Sequence, residues 1–276
     1  MPKPSRHDSD PRAPRLAVAI DGADEADRRE ATVLAERLRL PLLESIEDGA
    51  NDADLILVRT ALRLELRDLG ERRARPVFVD FIGGATGFRR RSGLSGNQPI
   101  AKAVGIRSGT RTVLDATAGL ARDSFLLACL GCRVLAVERS PILAALVEDG
   151  LRRAARDGAP ELRQVIERIT LIHGDARDIF GNTEGVEAPD AIYLDPMYPT
   201  KTKVALAKKE MRLCRLLVGD DADAGELLDL SRRVAKRRVA VKRPRLAPPL
   251  GSEPDTRTLS KQVRYDVYLT PASADA

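Results

Sequence analysis

From residue 100 onward, short apolar runs alternate with longer amphipathic stretches, and this alternation limits the fold more than any other feature of the chain. TVLDA reads as a strand and LARDSFLLACLG as a helix. RVLAVE is the next strand, and PILAALVEDGLRRAARDG the next helix. Ser140 is placed to cap that helix and Pro141 sits at its first position, where a missing N–H costs nothing. ITLIH and DAIYLD follow as strands, then a helix near 222–236 and the strand RRVAVKR. TLSKQVRYDVYLT supplies a final pair of strands. Strands separated by helices pair in parallel through crossovers. The expected fold class is therefore α/β, a Rossmann-like doubly wound sheet with helices on both faces.

The earlier part of the chain has its own pattern. LAVAI, DLILVRT and PVFVDF read as strands and ADEADRREATVLAERLRL as an amphipathic helix, giving a small N-terminal α/β subdomain over 16–82. Residues 83–99, rich in glycine and arginine, read as a basic linker, and 100–276 as the main domain. Residues 1–15 are polar and proline-rich and read as a flexible tail. They lack the apolar core of a signal peptide, so a cytoplasmic location is expected. Hydrophobic residues make up 43% and charged residues 32% of the 276, as in a soluble globular protein. Cys129 and Cys132 form a lone CxxC in an apolar helix end, with no second pair to complete a zinc site, so both read as buried small hydrophobes. His173 lies inside ITLIH and reads as a packed core histidine.

In doubly wound sheets, ligands bind beyond the carboxyl ends of the strands. Each of four such ends here carries an acid: Asp115, Glu138, Asp175 and Asp195. The first is followed by Gly119, where the backbone can approach a ligand, and then by Arg122 and Asp123, which can add side-chain contacts. Glu138, about 20 residues after that turn, is placed to accept from ribose hydroxyls. Arg139 can stack on an adenine or simply be exposed. Asp175, with Ala176 beside it, can accept from an adenine amino group. The three-glycine pyrophosphate cradle is missing, since only Gly119 is present. That points away from NAD and towards an adenosine with a cationic 5′ substituent, and S-adenosylmethionine fits a carboxylate-rich pocket.

The fourth strand ends in YLDPMYP, residues 193–199. An exocyclic base amine is a poor nucleophile because its lone pair is delocalised into the ring. A site that methylates one needs acceptors to hold its N–H groups and aim it at the donor. The Asp195 carboxylate and the carbonyls of Pro196 or Met197 are candidates, Pro196 fixes φ, and Tyr198 can stack on the target base. A planar amide, such as a protein glutamine, or a DNA adenine would suit the same motif.

The net charge is +5, concentrated in RRVAKRRVAVKRPR (232–245), which holds eight basic residues and no acid, and in FRRRSG (88–93). A polyanionic partner such as nucleic acid fits that bias, and so does an ordinary solvated surface. Lys242 and Arg243, at a strand end, either reach the cleft or are exposed charge. Tryptophan is absent and aromatics total 3%, which excludes a broad stacking platform for single strands.

DATAGLARD, ERSP, LIHGD and YLDPMYP, in this order and spacing, resemble the class I S-adenosylmethionine-dependent methyltransferases. PVFVDFIGGATGFRRRSGLSGNQPIAKAVG (76–105), KKEMRLCRLLVG (208–219) and VAVKRPRLAPPL (239–250) resemble one family within them, ribosomal RNA small subunit methyltransferase J. The likeness covers roughly 76–270. It implies that 100–276 is the methyltransferase domain and that the methyl group passes from S-adenosylmethionine to the N2 amine of one guanosine in 16S rRNA, in the 3′ minor domain of the small ribosomal subunit. It also implies cofactor contacts at Arg122, Asp123, Glu138, Arg139, Asp175, Ala176 and Asp195. The family turn is often GLGRD; here Ala121 replaces the second glycine, at some cost in backbone freedom. Met197 stands where many amine methyltransferases have a second proline.

Overall fold

The computed structural model describes residues 13–21, 24–48, 53–71, 75–83, 96–181, 187–197, 209–219 and 223–270. The chain forms two compact units. The first comprises Met1–Val79 together with Leu206–Leu217, and the second Asp80–Ala205 with Val218–Ala276. The expected boundary lies at 82/83, whereas the first unit ends at Val79 and takes back Leu206–Leu217.

The first unit is a four-stranded sheet in the order β2-β1-β3-β4, built from β1 (Leu16–Asp21), β2 (Leu42–Leu43), β3 (Leu55–Thr60) and β4 (Leu64–Asp68). Helix α1 (Glu25–Leu38) connects β1 to β2. Asp24 caps it, accepting from the N–H groups of Ala26 and Asp27. PVFVDF, expected as a strand, contributes only an isolated bridge between Val77 and Leu66. Pro76 has no N–H to give a ladder, which keeps this segment from pairing along its length. Arg212 joins the unit by ion pairs to Asp68 at 2.6 Å and Glu71 at 2.9 Å.

The second unit contains α2 (Pro99–Val104), β5 (Thr112–Asp115), α3 (Arg122–Cys129), β6 (Arg133–Glu138), α4 (Pro141–Asp157), α5 (Pro160–Ile166), β7 (Ile169–His173), α6 (Ala176–Gly181) and β8 (Ala191–Leu194). After α7 (Lys209–Val218) come α8 (Ala224–Val234), β9 (Arg238–Pro244), β10 (Thr256–Leu259) and β11 (Val263–Leu269). Its seven strands run in the order β10-β11-β9-β8-β5-β6-β7. β9, β8, β5, β6 and β7 are parallel, while β11 and β10 return antiparallel. The chain leaves β5 for β6 on one side and later reaches β8 on the other, so the strand order reverses at β5 and opens a crevice there.

Strand parity assigns the two faces. On one, Leu114, Val137, Ile192, Leu194, Val239, Val241 and Tyr268 pack with Phe180 and Leu228 of α6 and α8. Each fully buried side chain of this kind stabilises the fold by roughly 1.5–3 kcal/mol. On the other, α3 buries Phe125, stacked on Phe81 at 4.8 Å between centroids. Ser140 caps α4 as expected, its Oγ accepting from Leu143 N–H, with Pro141 at the first turn. His173 is exposed, contrary to the core placement read from ITLIH. β7 is the last strand of the sheet, and an edge strand buries its side chains less completely than its apolar neighbours imply.

Candidate active site

The loop after β5 is stitched between its neighbours. Ala116 N–H donates to the Tyr193 carbonyl and Ala118 N–H to the Val137 carbonyl, each at 3.0 Å. Gly119 then adopts φ 56°, and a Cβ there would meet nothing within 4 Å, because this position faces open space. Ala121 adopts φ 54° at the N-cap of α3, a left-handed conformation that costs an alanine about 1–2 kcal/mol relative to glycine.

Glu138, buried at the end of β6, holds this turn. Its Oε2 accepts from Gly119 N–H at 2.6 Å and its Oε1 from Ser140 N–H at 2.7 Å. Asp175, after β7, accepts from the side chain and backbone N–H of Arg177. That hydrogen bonding holds its carboxyl below the usual range despite partial burial. Arg177 and Arg139 both pair with Asp223, at 3.1 and 3.2 Å. Asp195, at the end of β8, donates its backbone N–H to Thr117 Oγ1 at 2.6 Å.

These strand ends surround an open cleft. Glu138, Arg139, Asp175, Ala176, Asp195 and Pro196, all expected from sequence, line it together. Thr117, Arg177 and Asp223 line it too and were not singled out; nothing in their local sequence distinguishes them from ordinary loop residues. Tyr198 lies outside the described residues.

Two expected contacts, Arg122 and Asp123, and the strand-end acid Asp115 do not line the cleft. Arg122 is exposed at the start of α3 and does not line the cleft. Asp115 is buried beneath it, accepting from Ser124 Oγ and Thr117 N–H. Burial pushes its carboxyl up to about 7, with the nearby Asp123 and Asp195 charges adding to the effect. Asp123 turns away from the cleft to accept from Tyr193 Oη at 2.7 Å and from Lys242 Nζ at 2.8 Å. The same Lys242 ammonium donates to Asp195 Oδ2 at 2.8 Å. Burial alone would lower the Lys242 pKa, but the Asp195 and Asp123 carboxylates outweigh it and hold it above its ordinary value. Of the pair weighed for the cleft, Lys242 therefore reaches Asp195. Arg243, one residue on and on the opposite face, is buried and donates to the Pro248 carbonyl.

The basic run is not one solvent-facing stripe. Arg233, Arg237 and Arg245 are exposed. Arg232 lies over the Tyr268 ring, Lys236 pairs with Glu187, and Lys242 and Arg243 are engaged as described. The basic segment 88–91 lies outside the described residues.

The chemistry of the lining suits a cationic nucleoside. Carboxylates at three strand ends meet apolar Leu143, Ala176, Ala224 and Leu227, and Gly119 presents bare backbone. Comparison with known proteins agrees. A sequence-family model described as "Putative SAM-dependent methyltransferase" matches residues 35–270. Ribosomal RNA small subunit methyltransferase J of Pseudomonas paraeruginosa is 49% identical over 263 residues, covering 94% of this chain and 97% of the relative. The protein of the same name from Nitrosococcus oceani is 45% identical, covering 92% and 98%. The chain belongs to the ribosomal RNA small subunit methyltransferase J family. A crystal structure of an S-adenosylmethionine-dependent methyltransferase from Neisseria gonorrhoeae superposes with a TM-score of 0.71 at 37% identity, covering 94% of this chain and 97% of that one. Membership makes the protein an S-adenosylmethionine-dependent enzyme of class I fold. The expected fold and cofactor are thus both met, and among the described residues no helix is long and apolar enough to cross a membrane.

Proposed function

We propose that the protein methylates the exocyclic N2 amine of a guanosine in the 16S rRNA of the small ribosomal subunit, and that it works in the cytoplasm. The observation that carries the reading is the placement of Asp195: its carboxylate stands on the wall of the cleft, beside Pro196 and Met197, with its backbone anchored to Thr117. The names of the relatives support an RNA acceptor.

S-adenosylmethionine supplies an electrophilic methyl group on a sulfonium. Glu138 holds ribose hydroxyls, its carboxylate fixed in place by the Gly119 and Ser140 N–H groups. Asp175 and the Ala176 backbone meet the adenine edge, and Arg139 lies beside it. Asp195 accepts one N–H of the target amine and fixes the direction from which its nitrogen approaches. Pro196 removes a backbone donor that would compete for the same acceptors. The target base must be unpaired or flipped out to enter, and Tyr198 is the side chain proposed to stack on it. The contribution of such positioning is orientational, because the reacting atoms are already juxtaposed before the bond changes.

The test is to incubate the protein with labelled S-adenosylmethionine and small subunits lacking the modification, then map the label. One labelled guanosine, with the methyl on N2, is the expected result. Label on protein, or on an adenine, overturns the proposed acceptor.

A further inference from the structure

We propose that Lys242 is a positioning residue for methyl transfer: its ammonium, seated between Asp123 and Asp195, fixes the orientation of the Asp195 carboxylate and offsets the repulsion among the carboxylates around it. The inference rests on Asp195 being the acceptor of the target amine.

The geometry is unusual for a lysine. Its four-carbon stem normally carries the charge out to water. Here the side chain is only 25% exposed, and Nζ donates at 2.8 Å to Asp123 and at 2.8 Å to Asp195. The groups around it come from four other elements: Asp115 at the end of β5, Asp123 from α3, Tyr193 and Asp195 from β8 and its end, and Tyr265 opposite Lys242 on β11. Burial, reinforced by Asp123 and Asp195, drives the Tyr193 hydroxyl well above its ordinary value, so it enters as a neutral group, and the Tyr265 ring lies tilted against the Tyr193 ring at 6.4 Å between centroids. Two carboxylates thus converge on one ammonium, with the buried Asp115 carboxyl close behind them. Without that ammonium, Asp123 and Asp195 would face each other across a partly buried gap. Asp195 would then turn towards solvent or take up a proton, and either change spoils it as an acceptor. Lys242 does not line the cleft, so its effect on the cofactor is indirect.

The experiment compares Lys242→Met with the parent chain, using small subunits lacking the modification. The proposal expects kcat to fall about tenfold or more, with cofactor affinity by calorimetry and KM for the subunit little changed. The acid limb of the pH–rate profile moves to higher pH, so part of the lost rate returns in alkali. A carboxylate NMR titration of the cofactor-free protein shows the same upward movement for Asp195. The double variant Lys242→Met/Asp123→Asn removes the facing carboxylate and brings the acid limb back towards the parent's. This double variant also carries the test if the single variant does not fold. An unmoved acid limb and a parental kcat overturn the proposal. Asp195→Asn, run alongside, separates the two claims. If it is inactive while the Lys242→Met profile stays unmoved, only the role of Lys242 fails. If it is fully active, the acceptor reading fails and takes the Lys242 proposal with it.

Discussion

Asp115 and Glu138 sit one strand apart, and their environments set them to different tasks. Asp115 is buried among other carboxylates, and its carboxyl is pushed up from 3.8 to about 7. The folded state therefore binds its proton more tightly than the unfolded chain does. That contribution to stability is present below pH 4 and is lost as pH rises to about 7. The shift corresponds to on the order of 4 kcal/mol. Asp115→Asn should flatten this part of the stability–pH curve in urea titrations, and a slope equal to the parent's would show that Asp115 is not its source. Glu138 is held by two backbone N–H groups, which keep its oxygens fixed for a ligand. Glu138→Ala should weaken cofactor binding by one or two hydrogen bonds, about 1 kcal/mol each. It should also loosen the Gly119 turn. Unchanged titration calorimetry would remove Glu138 from the ribose contact.

At the scale of elements, the periodicities of the second unit were legible because each strand is a compact apolar run and each long helix an amphipathic one. The caps of α4 and the pairing of β10 with β11 followed from the same local chemistry. What was not legible is strand order. The exposure of His173 depends on β7 being an edge, and the division of labour between Lys242 and Arg243 depends on which face of β9 meets α3. A lysine closing the apolar run VAVK was the available signal, but its two carboxylate partners are 119 and 47 residues away in the chain. Asp123, adjacent to Arg122 in sequence, was read with it as a cofactor contact; the turn of α3 instead points it at Tyr193. The short helices α2, α5 and α6 carry too few turns to show a period. Gly105 ends α2 with φ 81°, and a Cβ there would meet the Arg238 guanidinium at 2.6 Å. Gly105→Ala should therefore destabilise the protein by at least about 1–2 kcal/mol in denaturant titrations. A smaller loss would mean that Arg238 moves aside freely and the turn relaxes.

For the whole molecule, the +5 charge is less available than its sequence clustering implies, because much of the run at 232–245 is spent on internal partners. Arg245 and Arg243 make the contrast testable. Arg245 is exposed just beyond β9, while Arg243 is buried against the Pro248 carbonyl. Arg245→Ala should reduce the slope of log K against log salt for subunit RNA by about one. Arg243→Met should lower stability and leave the slope unchanged, and the opposite pattern would reverse their assignments. The measurement that bears most directly on the account is a crystal structure with S-adenosylmethionine bound. The account predicts the ribose hydroxyls on Glu138, the adenine beside Asp175 and Ala176, and the methyl group turned towards Asp195. Density for the compound elsewhere, with the cleft between these strand ends empty, would contradict it.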